Sequence, residues 1–334
     1  MPCNIVVGGF FGDEGKGKII AYIVKKDNIN LAARGGVGPN AGHTFNLNGQ
    51  TFKVRMLPSA AFNVKTTLAI GAGVLVDPKI LLNEISSFNA QSRTFVDRNC
   101  GIIKEEHVMQ DSTERFLKDK IGTTGTGTGP ANSDRALRKL SLAKDCLEIK
   151  DYLGEVSSMI HSNLDKKNSV LLEGTQGTYL SLYHGSYPFV TSKDVTASSV
   201  CADVGIGPKS INEVLVVFKS YITRVGGGPL ENELERVESK KRGWLEYGSV
   251  TGRERRSSPF NIELAKRSIR LNGATSFALT KLDVLYPECA AVKDYSKLSS
   301  SAKKFIEEIE AELGLKAEFI GTGADVDSVI DQRS

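Results

Sequence analysis

The densest chemistry in the chain sits near its start, in the run Gly8-Gly9-Phe10-Phe11-Gly12-Asp13-Glu14-Gly15-Lys16-Gly17-Lys18. Gly12, Gly17 and Lys18 satisfy G-x-x-x-x-G-K, a loop whose backbone N–H groups cradle phosphate at a helix N-terminus. The usual closing Ser/Thr is replaced by Ile19, so the hydroxyl that would bind magnesium is missing. Asp13 is the substitute the residue types offer, because Mg²⁺ prefers hard carboxylate oxygen. The competing reading is a glycine-rich turn carrying a solvated charge run. Two lysines, a carboxylate and the strand–loop–helix context favour the anion site.

A second run, Arg34-Gly35-Gly36-Val37-Gly38-Pro39-Asn40-Ala41-Gly42-His43-Thr44, also follows a strand. Its glycines let backbone approach a ligand closely, and imidazole is the commonest general acid–base group, although a lone histidine can equally be structural. The third, Gly122-Thr123-Thr124-Gly125-Thr126-Gly127-Thr128-Gly129-Pro130 with Arg135, Arg138 and Lys139 beyond it, suits a phosphate monoester. Alone it could be a flexible loop before a basic helix face. The fourth, Glu173-Gly174-Thr175-Gln176-Gly177-Thr178, puts Gln176 at the carboxyl end of an apolar strand, where α/β enzymes bind ligands. The segment 184–192 follows, and its His184 reads as structural. The fifth is Val250-Thr251-Gly252-Arg253-Glu254-Arg255-Arg256, either a solvated face or a clamp for a dicarboxylate through bidentate arginine pairs. The sixth, Thr280-Lys281-Leu282-Asp283, ends in a carboxylate that can accept from guanine N1–H and its 2-amino group, donors adenine lacks.

Residues 12–18 followed by Asn40-Ala41-Gly42-His43-Thr44 resemble the adenylosuccinate synthetase family. That resemblance implies an enzyme that couples GTP cleavage to joining L-aspartate onto IMP, with Mg²⁺ as cofactor. It implies catalytic roles for Asp13, His43, Lys16 and Gln176, and metal ligation by Asp13 and the Gly42 carbonyl. GTP would meet Gly12, Glu14, Gly15, Lys16, Gly17 and Lys18, then Gly42, His43, Thr44 and Arg255. Lys281, Leu282 and Asp283 would meet the guanine, which Gly321, Thr322 and Gly323 line. IMP would meet Asp13, Asn40, Ala41, Thr124, Gln176, Thr191 and Arg253. Arg138 would reach that phosphate from a neighbouring subunit, which implies a homodimer. Aspartate falls to Val250, Thr251, Gly252, Arg253 and Arg255. The chain is shorter than typical members, Val250 stands where many carry threonine, Glu254 interrupts the usual arginine run, and Thr126 replaces a frequent arginine. The loop 34–40 is also slightly longer. These departures suggest a compact subtype.

The elements that must position these residues alternate along the chain. Short apolar runs at 4–7, 30–33, 67–70, 169–172, 214–219, 276–279, 289–292 and 317–320 read as strands. Amphipathic stretches at 18–26, 78–88, 147–164, 260–271 and 300–313 read as helices. This alternation predicts an α/β, P-loop-NTPase-like fold with a largely parallel central sheet flanked by helices. No repeat or Pro/Gly/Ser linker divides the chain, and the motifs span residues 8 to 323, so residues 1–334 read as one domain around one cleft. Five scattered cysteines form no C-x-x-C pair and fit reduced thiols. The start lacks a basic n-region, and no uncharged apolar run reaches ~20 residues. The expectation is a cytoplasmic protein with neither membrane nor nucleic-acid partner. Net charge is only +4, from 43 basic and 39 acidic residues, and no aromatics interleave Arg253, Arg255, Arg256 or residues 240–242. A regulatory P-loop GTPase would share the phosphate loop and Thr-Lys-x-Asp, yet it needs neither His43, Gln176 nor the arginine loop. An inactive paralogue fits poorly with an intact Asp13 and His43.

Overall fold

Ten short runs, most of them buried over most of their length, line up as one sheet. The computed structural model describes residues 3–248 and 252–333. The strands are β1 (Cys3–Gly8), β2 (Leu31–Arg34), β3 (Thr67–Ile70), β4 (Thr94–Asp97), β5 (Leu153–Gly154), β6 (Val170–Glu173), β7 (Glu213–Lys219), β8 (Ser276–Thr280), β9 (Ala317–Gly321) and β10 (Val329–Asp331). Their order is β10-β9-β8-β7-β1-β6-β2-β3-β4-β5, parallel throughout except for antiparallel β10 at the edge. A parallel sheet needs both faces covered, which is why its strands read as continuous apolar runs.

Successive residues supply opposite faces. Val7, Leu172, Val216 and Leu279 join one core with Val200, Ala265 and Ile306 of helices Ala197–Val204, Ile262–Asn272 and Ser300–Leu313. Val6, Leu171, Val217 and Ala278 join the other, with Ile19, Ile20 and Ile23 of helix Lys16–Asp27 and Leu81 and Ile85 of helix Pro78–Ser87. The first strand is the middle one. From β1 the chain runs out to β5, returns to insert β6 beside β1, then crosses to β7 on the other side, so the sheet's switch point lies at β1.

Two hairpins stand off the main sheet at that end. His43–Leu47 pairs with Gln50–Val54 through Asn48 and Gly49, both at positive φ as a tight primed turn requires. Tyr221–Val225 pairs with Arg255–Pro259. Two sequence expectations fail locally. Residues 289–292 form no strand: Pro287–Cys289 is a 3-10 turn and Ala291 is left-handed. The helix predicted over 147–164 is broken into a 3-10 turn, Leu147–Tyr152, the edge strand β5 and helix Val156–Asp165, because Gly154 pairs with Asp97. Among the described residues no helix is long and apolar enough to cross a membrane.

Candidate active site

The phosphate loop leaves β1 and enters helix Lys16–Asp27 through Gly15, whose φ of 84° favours glycine. Asp13, at φ 60°, also turns in the left-handed region. Glu14 points inward: its Oε1 accepts the N–H groups of Phe10 and Gly12 at 3.0 and 2.7 Å, and its Oε2 lies 3.1 Å from Lys16 Nζ. Lys16 also donates to the Gln176 carbonyl. The Thr280 hydroxyl donates to the Glu14 carbonyl at 2.6 Å, fastening the loop to the end of β8. Lys18 donates to the carbonyls of Gly323 and Ser328 at 2.6 and 2.7 Å. Burial pushes its ammonium down to about 8, against the pull of Asp283 and Asp325.

His43 opens the first hairpin directly against this loop, close enough that a Cβ on Gly17 would stand 2.9 Å from the His43 Cβ. Its Nδ1 contacts the carboxylate of Glu173, at the end of β6. Because a carboxylate only accepts, Nδ1 carries the proton. Glu173 is fully enclosed and also takes Arg34 Nη1 at 3.1 Å, the Ser59 hydroxyl at 3.0 Å and the Ser59 N–H at 2.7 Å. Burial lowers the imidazole below its ordinary value, against the opposing pull of Glu173. Burial would raise Glu173, but His43 and Arg34 hold it below the carboxylate range. The pair is therefore a neutral imidazole on an ionised carboxylate. His43 Nε2 is buried, has no hydrogen-bond partner, and belongs to a side chain lining the cleft.

That cleft holds about 600 Å³ at the carboxyl ends of the strands. It brings together Gly12, Asp13, Gly15, Lys16, Gly17 and Lys18 with Asn40, Ala41, Gly42, His43 and Thr44. Thr124, Gln176, Thr191, Arg253, Arg255, Lys281 and Gly323 complete the set from other elements. Asn40 Nδ2 donates to the Thr191 hydroxyl at 3.2 Å. Arg253 Nη1 donates to the Gly122 carbonyl at 2.7 Å, joining two facing loops. The threonine loop is braced from behind by Asp111, which accepts the Thr123 hydroxyl at 2.7 Å and the Gly127 N–H at 2.8 Å. Opposite, Arg255 Nη2 lies 2.7 Å from Asp13 Oδ2 while its Nη1 meets Glu246.

Other expected residues stand off the cleft wall. Glu14 is turned into its own loop, Leu282 is buried, and the Thr322 hydroxyl donates to the Val292 carbonyl at 2.6 Å. Gly252, Gly321 and Asp283 lie off the wall too, and Asp283 Oδ1 is buried with no hydrogen-bond partner. Arg138 is exposed outside the cleft, at φ 63° just past helix Thr128–Ala136. Val250 and Thr251 lie outside the described residues. Sequence reasoning gave no role to Glu173, Ser59, Glu246 or Asp111. Glu173 was within reach, since it ends a strand three residues before a motif glutamine.

Carboxylate, imidazole, glycine loop and guanine-type motif around one cleft define a phosphate-loop α/β enzyme that acts on nucleotides. The family model for adenylosuccinate synthetase matches residues 5–148 and 140–288. The chain belongs to the adenylosuccinate synthetase family, and it is a ligase of purine biosynthesis. It is 53% identical to the adenylosuccinate synthetase of Methanocaldococcus jannaschii, covering 100% of this chain and 98% of that one. It is 50% identical to that of Methanococcus vannielii, covering 100% of each. The structure of the fully ligated adenylosuccinate synthetase from Plasmodium falciparum superposes with a TM-score of 0.94 at 25% identity, covering 100% of both chains. The cyanophage S-2L succinoaminodeoxyadenylate synthetase shares the fold, with a TM-score of 0.84 at 24% identity over 99% of this chain and 95% of that one.

Proposed function

We propose that this cleft joins L-aspartate to C6 of IMP at the expense of GTP, giving adenylosuccinate, GDP and phosphate, with Asp13 as base and His43 as acid. The observation that carries the reading is His43, whose Nδ1 is held by Glu173 while its Nε2 lines the cleft as a buried, unpaired atom. A nitrogen fixed in this way waits for a ligand atom.

The chemical problem is that the C6 oxygen of IMP is a poor leaving group. Asp13 removes the N1 proton, so O6 attacks the γ-phosphate and becomes a phosphate ester. Phosphate oxygens favour the protonated imidazole. His43 Nε2 then donates as charge grows on O6 and the transferring phosphoryl, while Glu173 stabilises the imidazolium. Lys16 and the loop amides offset charge on the phosphate oxygens. Gln176, Asn40, Thr124 and Thr191 orient IMP. The amine of aspartate, gripped at Arg253 and Arg255, displaces phosphate from C6. Asp283 accepts from guanine, which gives its buried Oδ1 a partner.

Mg²⁺ fits the donor set. Ile19 removes the usual hydroxyl, Asp13 brings a partly exposed carboxylate to the cleft, and Gly42 lines the same wall. One or two protein oxygens with phosphates and waters suit this ion. When bound, it neutralises phosphate charge. Arg255 must first leave the Asp13 oxygen. The exposed Arg138 fits a residue that serves a second subunit's cleft, and hence a homodimer. The same reading takes the whole chain as one domain, since one sheet takes strands from Cys3 to Asp331, and places it in the cytoplasm with the nucleotides it uses.

The test is to incubate the chain with Mg²⁺, GTP, IMP and aspartate and follow adenylosuccinate by ultraviolet absorbance. Product should form only with all three substrates, and not with ATP in place of GTP. GTP hydrolysis indifferent to IMP and aspartate would sink the reading.

A further inference from the structure

At the root of the arginine loop a largely enclosed carboxylate, Glu246, gathers partners from several strand ends. The Arg255 N–H donates to the Glu246 carbonyl at 2.9 Å, and Tyr247 bridges Glu254 one step further along the stem. The side chains repeat that pairing through Arg255 Nη1 and Glu246 Oε2. Lys219, at the end of β7, reaches the same carboxylate at 2.9 Å, and the Tyr221 hydroxyl donates to its other oxygen. Lys281, directly after β8, places its ammonium 3.7 Å away. The far prong of Arg255, Nη2, lies 2.7 Å from Asp13, in the loop after β1.

A guanidinium is a rigid fork, so fixing one prong fixes the direction of the other. Here the fixed prong is on Glu246, at the cleft wall with a side chain 15% exposed, and the other lies on a carboxylate that is 30% exposed. Once Asp13 is engaged by a proton or a cation, Nη2 loses its partner. Arg255 is only 8% exposed, and an enclosed cation without a counter-charge is costly. An incoming carboxylate resolves this at the place where the amino acid must sit.

We propose that Glu246 is the positioning residue of the amino-acid site. It pins one prong of Arg255 so that the other passes from Asp13 to a carboxylate of L-aspartate, and through Lys281 it ties that handover to filling of the guanine site. Glu246 touches no reacting atom and acts through Arg255. The inference rests on placing aspartate at the arginine loop.

Steady-state kinetics of the full chain with Mg²⁺ tests it. Glu246→Gln keeps the shape of the side chain and removes its charge. It should raise the aspartate KM at least about tenfold while the GTP and IMP KM stay within about threefold. The unsubstituted chain should show an aspartate KM that falls as GTP approaches saturation, and Lys281→Met, at a half-exposed position, should abolish that fall; no fall in the unsubstituted chain overturns the inference. An unchanged aspartate KM in Glu246→Gln, or equal rises for all three substrates, overturns the inference. If Glu246→Gln does not fold, Lys281→Met decides, and a retained GTP dependence overturns it. An unsubstituted chain that turns over without aspartate would instead overturn the reading of the arginine loop.

Discussion

The two walls of the cleft are built differently. On one, Lys16 and His43 are buried and are held from behind by the equally buried Glu14, Arg34 and Glu173, several of which make more than one hydrogen bond. On the other, residues 122–126 are half-buried, their hydroxyls pair with one another, and Arg253 reaches across to a carbonyl of that loop. The first wall has its geometry before any ligand arrives, as the groups that handle protons and phosphoryl charge require. The second is anchored at its base by Asp111, and on its cleft side it is held by a few bonds that a phosphate monoester or dicarboxylate can replace. Chemistry is kept rigid here, and recognition of the two smaller anionic groups is left adjustable.

The contrast can be broken by mutation, starting with activity on the rigid wall. Asp13→Asn and His43→Ala should each lower kcat by about 10²–10⁴ with little change in melting temperature. Single-turnover rates and thermal melts together check this, and a loss confined to KM would place both residues on the recognition side. Glu173→Ala strands Arg34 and His43 in the interior, and should cost about 3–5 kcal/mol in urea unfolding. The pH dependence comes next. Burial would raise Glu246, but Lys219, Lys281 and Arg255 bring it to about 2, below its ordinary 4.5. The unfolded chain therefore binds this proton more readily. The stabilisation, on the order of 3 kcal/mol, is complete above pH 4.5 and lost as pH falls towards 2. Urea curves at pH 6 and pH 3 should show that slope, and Glu246→Gln should flatten it. On the adjustable wall, Arg253→Ala should raise the aspartate KM about tenfold, with stability within about 0.5 kcal/mol. Thr124→Ala should have the smallest effect, about 1 kcal/mol in IMP affinity, read from its KM.

The same division governs what could be read from sequence. Strands such as Thr67–Ile70 stood out because a buried parallel strand is a bare apolar run, and all six motifs contribute residues to the cleft. The hairpin that carries His43 turns at Asn48-Gly49, a pair that signals such a turn, yet it begins in the last residues of a motif read for chemistry rather than shape. Glu14 shows the opposite limit. Its type and place suggest a ligand, and only the fold shows its carboxylate turned onto the N–H groups of Phe10 and Gly12. Glu246 and the partners of Glu173 were invisible for a related reason: the groups that meet there, from Arg34 to Lys281, come from distant parts of the chain, and no local pattern records such meetings.

The position of β1 has a consequence for synthesis of the chain. It is the first strand made, yet its sheet neighbours are Val170–Glu173 and Glu213–Lys219. At roughly 5–20 residues per second, it leaves the ribosome tens of seconds before its second edge is covered. Until residues 170–173 emerge this buried strand has neither of its neighbours, and until residues 213–219 emerge one edge stays open. A nascent chain stalled before residue 213 is therefore the form for which a chaperone matters most.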